Sequence, residues 1–450
     1  MKIHFIAVGG SIMHALAIDL HDLGDEVSGS DDKIFEPARS SLKEKGLLPQ
    51  CEGWFPEKIH EKLDKVVLGM HAKEDNPELQ KALDLNLPVV SFPQFIGEKI
   101  RDKQKIVIAG SHGKTTITSM IMHVLLKAGF KFDYLVGGKV PGFEKNVSFK
   151  QDSKLAVLEG DEYISSALDS RPKFLWYAPD IAVLSGLAWD HINVFKTQQE
   201  YYDAFRQFFH TLSSKGVLFY NASERDLKSL VEEAEVEDIR MEPYEAPEYR
   251  VEDGKYYVSG EQNEVALRVQ GTHNLENMGA AKSVCEELGV DQEAFFEYFK
   301  DFSGAGKRLQ FLGEMNGKTL YRDFAHAPSK VKGVLEGLRD QFPKEKILAV
   351  FEFHTYSSLS KEFLPFFRGT FDAADEVWFF VDDQALSIKE KSPPDEGLLR
   401  TLTQRPVQCF YEAKSLKSAL TRREPFAEIG LLMSSGDFGG LKEEELVQIQ

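Results

Sequence analysis

The chain has 450 residues, with 54 Lys and Arg against 72 Asp and Glu, so its formal net charge is −18 at pH 7. This acidic balance disfavours a nonspecific grip on nucleic acid or on an anionic membrane surface, although a few cations can still form a local phosphate pocket. The 3 cysteines are widely spaced, which argues against a disulfide framework or a cysteine zinc site.

The length corresponds to roughly three domains. No apolar run approaches the ~18 residues of a membrane span, and the apolar run at the N-terminus is too short for a signal peptide. We therefore expect a multidomain cytoplasmic protein that has neither nucleic acid nor membrane as a partner.

Short apolar runs alternate with longer amphipathic stretches along the whole chain, which is typical of parallel α/β units. The elements predicted first are a strand at residues 3–8, a helix at 12–23, and strands at 27–31 and 65–70. A charged stretch at residues 101–105 marks a boundary, so the first predicted domain covers residues 1–103.

The second predicted domain covers residues 104–306. Its predicted elements are strands at residues 106–109, 155–158 and 181–184 and helices at 198–212 and 274–288. Residues 231–260 are acidic and poorly periodic, which predicts a peripheral meander. A glycine-rich basic break at residues 303–308 introduces the third predicted domain, residues 307–450. That domain has predicted strands at residues 319–322, 347–350, 377–381 and 429–433 and a helix at 328–338.

The most specific motif leads from a predicted strand through a glycine-rich turn into a predicted helix. Its residues are Gly110, Ser111, His112, Gly113, Lys114, Thr115 and Thr116. Backbone N–H groups and a helix N-terminus create an anion site there, Lys114 can neutralise phosphate oxygens, and the Thr115 hydroxyl can ligate Mg²⁺. Ile108 stands where the strict Walker A spacing has glycine, so the loop is a short variant. An ordinary glycine-rich turn is the alternative interpretation.

Carboxylates and a histidine follow the next two predicted strands, where α/β sheets bind their ligands. The carboxylates of Glu159, Asp161 and Glu162 suit a cation that bridges nucleotide phosphates. Asp190 and His191 follow the strand at residues 181–184, and a neutral histidine can bind a metal or orient a carboxylate. A solvated acidic turn and a surface Asp-His pair are the alternatives when each motif is taken alone.

Further polar residues flank the second predicted boundary. Asn274 and Asn277 lie at the start of a predicted helix, which Asn274 can simply cap. Arg308 follows a glycine-rich hinge from which a guanidinium can reach a γ-phosphate, although a single arginine in a linker is usually solvated. Asp323 and His326 lie where a strand ends and a helix begins, so Asp323 can bind ribose hydroxyls or remain an exposed carboxylate.

In their order along the chain, these motifs resemble those of the Mur ligase family. The resemblance implies an α/β fold of three domains: a Rossmann-like N-terminal domain that binds UDP, a central P-loop ATPase domain and a Rossmann-like C-terminal domain. It implies ATP and Mg²⁺ as cofactors, with Lys114 and the amides of the Gly110–Thr116 loop on the β- and γ-phosphates. The metal ligands that it implies are Thr115, Glu159 and His191.

The same resemblance implies roles for residues further along the chain. Asn274 and Asn277 match the motif near the adenine, Arg308 matches a γ-phosphate contact, and Asp323 matches a ribose contact. Domain closure would bring Asp323 and His326 onto the nucleotide. The implied catalytic residues are Lys114, Glu159, His191, Arg308 and His326. Arg206 stands where some members carry a carbamylated lysine, so we expect no carbamylation.

Residues 29–31 resemble the branch of the family that takes UDP-N-acetylmuramate. The residues that we expect to bind this substrate are Gly9, Gly10, Ser11, Met13, Ser30, Asp31, His71, Asn76 and His354. Ala7 and Ile12 replace two family glycines in the first turn. Residues 161–163 and 434–440 are similar to the murein peptide ligases, which add the tripeptide L-Ala-γ-D-Glu-meso-diaminopimelate. His354 and Tyr356 are closer to the ligases that add the amino acid L-alanine.

The implied reaction is an attack of the muramyl carboxylate on the γ-phosphate, which gives an acyl phosphate that the amine then attacks. A non-catalytic sensor of a nucleotide sugar is an alternative of another class. Such a sensor would keep Lys114 but need not keep Glu159, His191 and Arg308 together, so their joint presence favours the enzyme. A P-loop GTPase or kinase would have strict Walker A spacing and no third domain. The sequence indicates no particular oligomeric state.

Overall fold

The structure is a computed structural model, and it describes most of the chain. The described residues are 1–189, 194–234, 236–252, 255–260, 264–269, 271–306, 308–355, 358–382, 386, 393–421, 427–442 and 446–447. They form two compact units, the first from residues 1–189, 194–245 and 279–298, and the second from described residues within 246–278 and 299–450.

The elements occur in the following order along the chain. The strands are β1 Lys2–Ile6, β2 Glu26–Ser30, β3 Lys65–Leu68, β4 Val89–Ser91, β5 Gln104–Ala109, β6 Phe132–Leu135, β7 Val147–Ser148, β8 Leu155–Glu159, β9 Ile164–Ser166, β10 Asp169–Pro172, β11 Ile181–Leu184, β12 Val217–Asn221, β13 Arg240–Tyr244, β14 Tyr249–Glu252, β15 Lys255–Ser259, β16 Glu264–Ala266, β17 Gln310–Met315, β18 Lys318–Asp323, β19 Ile347–Glu352, β20 Glu376–Phe380, β21 Val407–Phe410 and β22 Ile429–Met433. The α-helices are α1 Ser11–Asp22, α2 Ala38–Glu44, α3 Pro77–Asp84, α4 Phe92–Lys99, α5 Lys114–Lys127, α6 Gln198–Phe209, α7 Arg225–Glu232, α8 Thr272–Glu287, α9 Gln292–Phe299, α10 Pro328–Gln341, α11 Glu396–Arg400 and α12 Ala413–Leu420. Short 3₁₀ turns lie at Pro56–Lys58, Lys173–Trp176 and Leu364–Phe367.

The first sheet has four parallel strands in the order β2-β1-β3-β4. Helix α1 follows β1 and packs its apolar side, which includes Met13, Leu16 and Leu20, into the core. Because parallel strands end at the same edge, the turns after β1 and β2 lie side by side. This edge carries most of the residues predicted to bind the sugar nucleotide.

The second sheet has seven strands in the order β13-β12-β11-β5-β8-β6-β7, and only β7 runs antiparallel to its neighbour. Strand β5, which leads into the phosphate loop, lies between β8 and β11. The carboxylates after β8 therefore end beside the loop, although they are more than 40 residues away in sequence. Strand order, and not sequence proximity, brings these motifs together.

The third sheet has six strands in the order β17-β18-β22-β19-β20-β21, and only β17 is antiparallel. Its three central strands β18, β22 and β19 end in, or are followed by, polar residues: Asp323, Ser434 and Glu352. A cluster of aromatic side chains packs below them, with Phe351 in ring contact with Phe353, Phe367 and Phe371. In the part of the chain that the structure describes, no helix has both the length and the apolar character to cross a bilayer.

The predicted α/β pattern is confirmed, and the strands at 181–184 and 429–433 have the predicted bounds. The prediction of a peripheral meander over residues 231–260 is wrong in part. Strand β13 pairs in parallel with β12 and extends the central sheet, while β14, β15 and β16 form a separate antiparallel sheet. Charged residues are tolerated in β13 because it is an edge strand. The domain limits at 103/104 and 306/307 stay predictions.

Candidate active site

The glycines of the phosphate loop are required by its backbone. Gly110 has a φ of +119°, and a Cβ there would lie 2.6 Å from Ser185 Oγ and 2.9 Å from Gly186 N. Gly113 has a φ of +76° and caps the N-terminus of α5. Both positions favour glycine because the left-handed region is costly for other residues. The chain thus turns sharply from β5 into α5, which is the arrangement in which the backbone N–H groups of a helix N-terminus point toward an anion.

Hydrogen bonds with the segment that follows β11 stabilise the phosphate loop. The Ser111 N–H donates to Gly186 O at 3.0 Å, and the Ser111 hydroxyl accepts from the Ala188 N–H at 3.0 Å. His112 Nε2 lies 3.1 Å from Glu224 Oε1 on the other side. Thr116 is buried in the first turn of α5. Ser111, His112 and Thr116 therefore shape the loop, while Lys114 and Thr115 present functional groups beside it.

Lys114 and Thr115 each contact a carboxylate of the segment that begins at the end of β8. The Lys114 ammonium donates to Gly110 O at 2.5 Å and to Glu162 Oε2 at 2.8 Å. The Thr115 hydroxyl lies 3.0 and 3.1 Å from the two oxygens of Glu159. Burial acts to lower the pKa of Lys114, but the Glu162 carboxylate raises it, and the resulting pKa lies above the ordinary value. Lys114 is therefore a cation at neutral pH.

The oxygen atoms of Thr115 and Glu159 fit a magnesium ion. A carboxylate and a hydroxyl are hard oxygen donors, which Mg²⁺ prefers. Two glycines keep the adjacent space open, because a Cβ at Gly137 would lie 3.2 Å from both Glu159 oxygens and one at Gly138 would lie 2.9 Å from Thr115 Cγ2. The Gly137 N–H also donates to Glu159 Oε2 at 2.7 Å, which orients the carboxylate. The glycine pair therefore preserves a cradle beside these donors.

Asp161 pairs with a lysine that the sequence did not single out as a site residue. Lys173 Nζ lies 2.6 Å from Asp161 Oδ2, and the lysine side chain is nearly buried. The same ammonium lies 5.5 Å from the ring centres of Phe92 and Tyr163. Partial loss of water and the Lys173 ammonium lower the pKa of His71. The Asp161-Glu162-Tyr163 motif and Lys173, 12 residues after Asp161, both resemble murein peptide ligase segments, but the sequence did not predict that Lys173 pairs with Asp161.

Asp190 and His191 lie outside the described residues, so the predicted second metal ligand stays a prediction. Arg206 lies on α6, where its guanidinium contacts Asp203 at 2.7 Å and Glu233 at 3.3 Å. Among the described residues, no group of three or more His, Cys, Asp or Glu side chains could hold a metal ion.

In the second unit, Asp323, Arg308 and His326 lie together where β18 ends. Asp323 accepts from the Leu309 and Ala325 N–H groups at 2.7 Å each. Burial raises the pKa of its carboxyl, and the Arg308 guanidinium partly offsets this effect. Arg308 stacks on the Phe324 ring at 4.7 Å, and His326 Nδ1 donates to Phe324 O at 2.8 Å. Asn274 and Asn277 are nearly buried in the first two turns of α8.

The predicted sugar-nucleotide residues fall into two groups in the structure. Gly9 and Asp31 meet, because the Gly9 N–H donates to Asp31 Oδ2 at 2.7 Å. Ser30 is buried beside them, and its hydroxyl lies 3.0 Å from Lys58 Nζ. Ala7 keeps the turn despite its side chain, with a φ of +68° in the region that favours glycine. Lys58 is a further cation at this edge that the sequence did not reveal.

The other predicted residues of this domain are Gly10, Ser11, Met13, His71 and Asn76. Gly10 precedes α1 and its carbonyl accepts from the His14 N–H at 3.0 Å, while Ser11 begins the helix and is exposed. Met13 points into the apolar core. His71 is on the surface after β3. Asn76 caps α3, accepting from the Glu78 and Leu79 N–H groups at 3.0 and 3.1 Å.

Substitution of Asp31 by Asn should change how stability depends on pH. Burial, together with the neighbouring Asp32 carboxyl, raises the pKa of Asp31 from 3.8 to about 6. The folded protein then holds this proton more tightly than the unfolded chain, so the Asp31 contribution to the free energy of unfolding falls as pH rises from about 4 to about 6. Asparagine does not ionise and can still accept the Gly9 N–H.

We expect the free energy of unfolding of Asp31→Asn, relative to the unchanged protein, to rise by about 2–3 kcal/mol between about pH 4 and pH 7. Denaturant unfolding at a series of pH values measures this difference. A difference that is the same at every pH would show that Asp31 ionises normally.

His354 lies at the edge of the third sheet, beside a buried carboxylate. Glu352 Oε2 accepts from the Ser434 hydroxyl and from the Phe438 N–H, the latter at 3.0 Å. His354 Nδ1 lies 3.7 Å from Glu352 Oε1. Burial acts to raise the pKa of Glu352, but His354 and Ser434 lower it below the ordinary value. The 434–440 segment is thus tied to the end of β19, which the sequence alone did not indicate.

Comparison with known proteins decides the family. The Mur ligase catalytic domain family matches residues 2–104, and the Mur ligase middle domain family matches residues 108–285. A UDP-N-acetylmuramate–L-alanine ligase of Desulfitobacterium hafniense is 32% identical over 391 residues, covering 84% of this chain and 83% of the relative. The chain belongs to the Mur ligase family. It is therefore an ATP-dependent ligase that forms carbon–nitrogen bonds, as the sequence predicted.

Two further Mur ligases match over nearly the full length. The UDP-N-acetylmuramate–L-alanyl-γ-D-glutamyl-meso-2,6-diaminoheptandioate ligase of Escherichia coli K12 is 27% identical over 463 residues, covering 99% of this chain and 98% of the relative. The crystal structure of a murein peptide ligase from Psychrobacter arcticus has a TM-score of 0.68 at 22% identity, covering 99% of this chain and 97% of that one. The predicted three-domain fold of this family is thereby confirmed.

Proposed function

We propose that this Mur ligase joins the carboxylate of UDP-N-acetylmuramate to the amine of the tripeptide L-Ala-γ-D-Glu-meso-diaminopimelate, with conversion of ATP to ADP and phosphate. The observation that carries the ATP-dependent step is the convergence of Lys114, Thr115 and Glu159 where β5 and β8 end. The similarity to the E. coli relative, which extends over 99% of the chain, supports the tripeptide as acceptor.

In the proposed reaction the muramyl carboxylate attacks the γ-phosphorus, ADP leaves, and an acyl phosphate forms. The neutral amine then attacks the acyl carbon, phosphate leaves, and the amine proton goes to solvent or to a nearby base. The protein contributes mainly by positioning and by neutralising charge. The loop N–H groups and Lys114 bind the phosphates. The γ-phosphate contact of Arg308 and the ribose contact of Asp323, which the family resemblance implies, stay predictions.

Thr115 and Glu159 would hold Mg²⁺, together with His191 at a second metal. When bound, the ion supplies charge neutralisation between the phosphate oxygens. The Gly137 N–H fixes the orientation of Glu159, so this carboxylate needs little rearrangement to act as a ligand.

Glu159→Gln should raise the Mg²⁺ concentration that gives half-maximal activity by at least ~10-fold, because a neutral amide is a poorer ligand for a hard cation. The KM for UDP-N-acetylmuramate should change much less. Initial rates over a Mg²⁺ titration measure both. Glu224→Gln is the matched control, because it removes a carboxylate that contacts His112 and not Thr115. An unchanged Mg²⁺ titration would leave Glu159 with a structural role only.

The direct test is product formation by the purified chain. With Mg²⁺, ATP, UDP-N-acetylmuramate and the tripeptide, we expect ADP, phosphate and a product whose mass is the sum of sugar nucleotide and tripeptide minus one water. Omission of either carbon substrate should abolish the amide product. A protein that binds ATP and UDP-N-acetylmuramate but forms no amide with the tripeptide would contradict the proposed acceptor.

UDP-N-acetylmuramate–L-alanine ligase is the second candidate. The higher identity of 32% to the D. hafniense relative favours it, as does His354 at the end of β19. The same assay with L-alanine in place of the tripeptide separates the two candidates.

A further inference from the structure

Glu162 lies against the phosphate loop, and the reaction described above gives it no role. Its carboxylate is fully buried, and Oε2 accepts a hydrogen bond from the Lys114 ammonium at 2.8 Å. Its other oxygen, Oε1, accepts from the Tyr201 hydroxyl at 3.2 Å. A buried carboxylate is strongly unfavourable without a cation and hydrogen-bond donors. The Lys114 ammonium therefore stabilises the buried Glu162 carboxylate, and the two side chains depend on each other for this arrangement.

The three carboxylates in this segment differ in the close contacts described below, although all three interact electrostatically with Lys114. Glu159 contacts Thr115 and Gly137, and Asp161 contacts Lys173 at 2.6 Å. Glu162 contacts Lys114. In the sequence these carboxylates form one acidic cluster. In the structure, Glu159 lies beside Thr115 among the oxygen donors that fit Mg²⁺. Asp161 pairs with Lys173, and Glu162 pairs with Lys114 of the phosphate loop.

The donors of Lys114 show what this pairing achieves. A lysine ammonium has three N–H donors. Two of them bond to Gly110 O at 2.5 Å and to Glu162 Oε2 at 2.8 Å. Within the described part of the chain, the third N–H of Lys114 has no hydrogen-bond partner. Two contacts to the protein fix the nitrogen, and the third N–H is left for a phosphate oxygen in the loop.

Tyr201 anchors Glu162 in turn. The tyrosine is fully buried on α6, and its ring packs edge-on against Phe195 and Phe205 with centres 5.2 and 5.1 Å apart. Helix α6 therefore holds the carboxylate through the phenol, and the carboxylate holds the ammonium.

We propose that Glu162 is a positioning residue that holds the Lys114 ammonium in a fixed position at the phosphate loop. This assignment rests on the proposed function of Lys114 as a phosphate contact. It predicts that removal of the Glu162 contact changes how accessible Lys114 is to a chemical reagent, as well as the use of ATP.

The first test measures Lys114 itself. Trace acetylation with acetic anhydride at about pH 8, followed by mass spectrometry of the peptide that contains Lys114, reports how accessible the amine is. We expect slow labelling of Lys114 in the unchanged protein and slower labelling with Mg²⁺ and ADP. Glu162→Gln should accelerate labelling without nucleotide at least ~10-fold, because the amine loses its charge-assisted hydrogen bond and is held less firmly. Glu224→Gln, which alters the same loop at His112, should leave Lys114 labelling unchanged.

The second test measures turnover. Glu162→Gln should lower kcat/KM for ATP at least ~10-fold, with the KM for UDP-N-acetylmuramate nearly unchanged. Glu162→Asp keeps the charge but withdraws it by one methylene, so both labelling and kcat/KM should lie between those of the unchanged protein and Glu162→Gln. If circular dichroism shows that Glu162→Gln does not fold, Glu162→Asp decides alone.

The outcomes distinguish the proposed phosphate-loop function of Lys114 from the proposed positioning role of Glu162. If Mg²⁺ and ADP do not protect Lys114 in the unchanged protein, the phosphate-loop function is wrong. If they do protect it, but the folded Glu162 variants label and turn over ATP like the unchanged protein, the assignment of Glu162 is wrong.

Discussion

Lys114→Ala should abolish ligase turnover, with a loss of at least ~10²-fold in kcat. Lys114 provides the cation whose Nζ is fixed at the phosphate loop by Gly110 O and Glu162. Alanine leaves the loop N–H groups in place but removes the charge that would meet the β- and γ-phosphates. Phosphate release with all three substrates measures the effect.

The same substitution leaves the buried Glu162 without its cation, so it also costs stability. Loss of one partner of a buried ion pair typically costs about 3–5 kcal/mol. The double variant Lys114→Ala with Glu162→Gln should recover most of this stability but none of the activity, which separates lost chemistry from lost folding. Lys105→Ala is the matched control, since Lys105 pairs with Asp180 at 3.1 Å where β5 begins, at the other end from the loop. Near-normal phosphate release by a folded Lys114→Ala protein would refute the phosphate-loop assignment.

The sequence predicted the phosphate loop well because its signals are local. Gly110 and Gly113 adopt positive φ values of +119° and +76°, and the helix begins at Lys114, as a strand-turn-helix motif requires. Glycine is required at these positions by the local backbone conformation, so the motif can be recognised without knowledge of distant contacts. The same holds for strand β11, whose apolar run is bounded by polar residues on both sides.

Contacts between distant segments could not be predicted in the same way. Lys173 meets Asp161, and Lys58 meets Ser30, through packing that no spacing rule encodes. Nor could the sequence distinguish the roles of Glu159 and Glu162, because both stand near the end of one strand. Only the side-chain directions around β8 show that one carboxylate faces Thr115 and the other faces Lys114.

Asn76 is a residue for which the sequence motif and the structure indicate different roles. We expect Asn76 from sequence to bind the sugar nucleotide, yet in the structure its side-chain oxygen accepts from two N–H groups of α3. Asx residues cap helices so often that a motif match alone does not distinguish a ligand contact from a cap. A role for Asn76 in sugar-nucleotide binding therefore stays a prediction.

The acceptor amine binds, in our proposal, at the edge of the third sheet where β19 and β22 end. Strand ends of this kind present the ligand loops of α/β domains. The glycines of the 434–440 segment have no side chains, which would leave room for an extended peptide beside the backbone. In the structure Gly439 and Gly440 have φ values of +68° and +81°, so these two also satisfy a tight turn.

Gly436 has a different reason to be glycine. A Cβ at this position would lie 2.6 Å from His354 Nδ1 and 2.8 Å from Glu352 Oε2. Its N–H donates to Ser434 Oγ at 2.7 Å, and its carbonyl accepts from Arg322 at 2.7 Å. Gly436 thus allows the loop to approach the histidine closely, and a side chain there would displace His354.

We expect kcat/KM for L-Ala-γ-D-Glu-meso-diaminopimelate to exceed that for free L-alanine by at least ~10²-fold, which corresponds to about 2.7 kcal/mol of additional transition-state binding. The physical reason is that a tripeptide can contact the strand-end loops with several polar groups, whereas L-alanine offers one carboxylate and one methyl group. Steady-state rates with each amine at saturating ATP and UDP-N-acetylmuramate give the ratio. Gly436→Ala should reduce kcat/KM for the preferred amine while leaving ADP binding unchanged. A ratio in favour of L-alanine would make this chain an alanine-adding member of the same family, consistent with its 32% identity to the D. hafniense ligase.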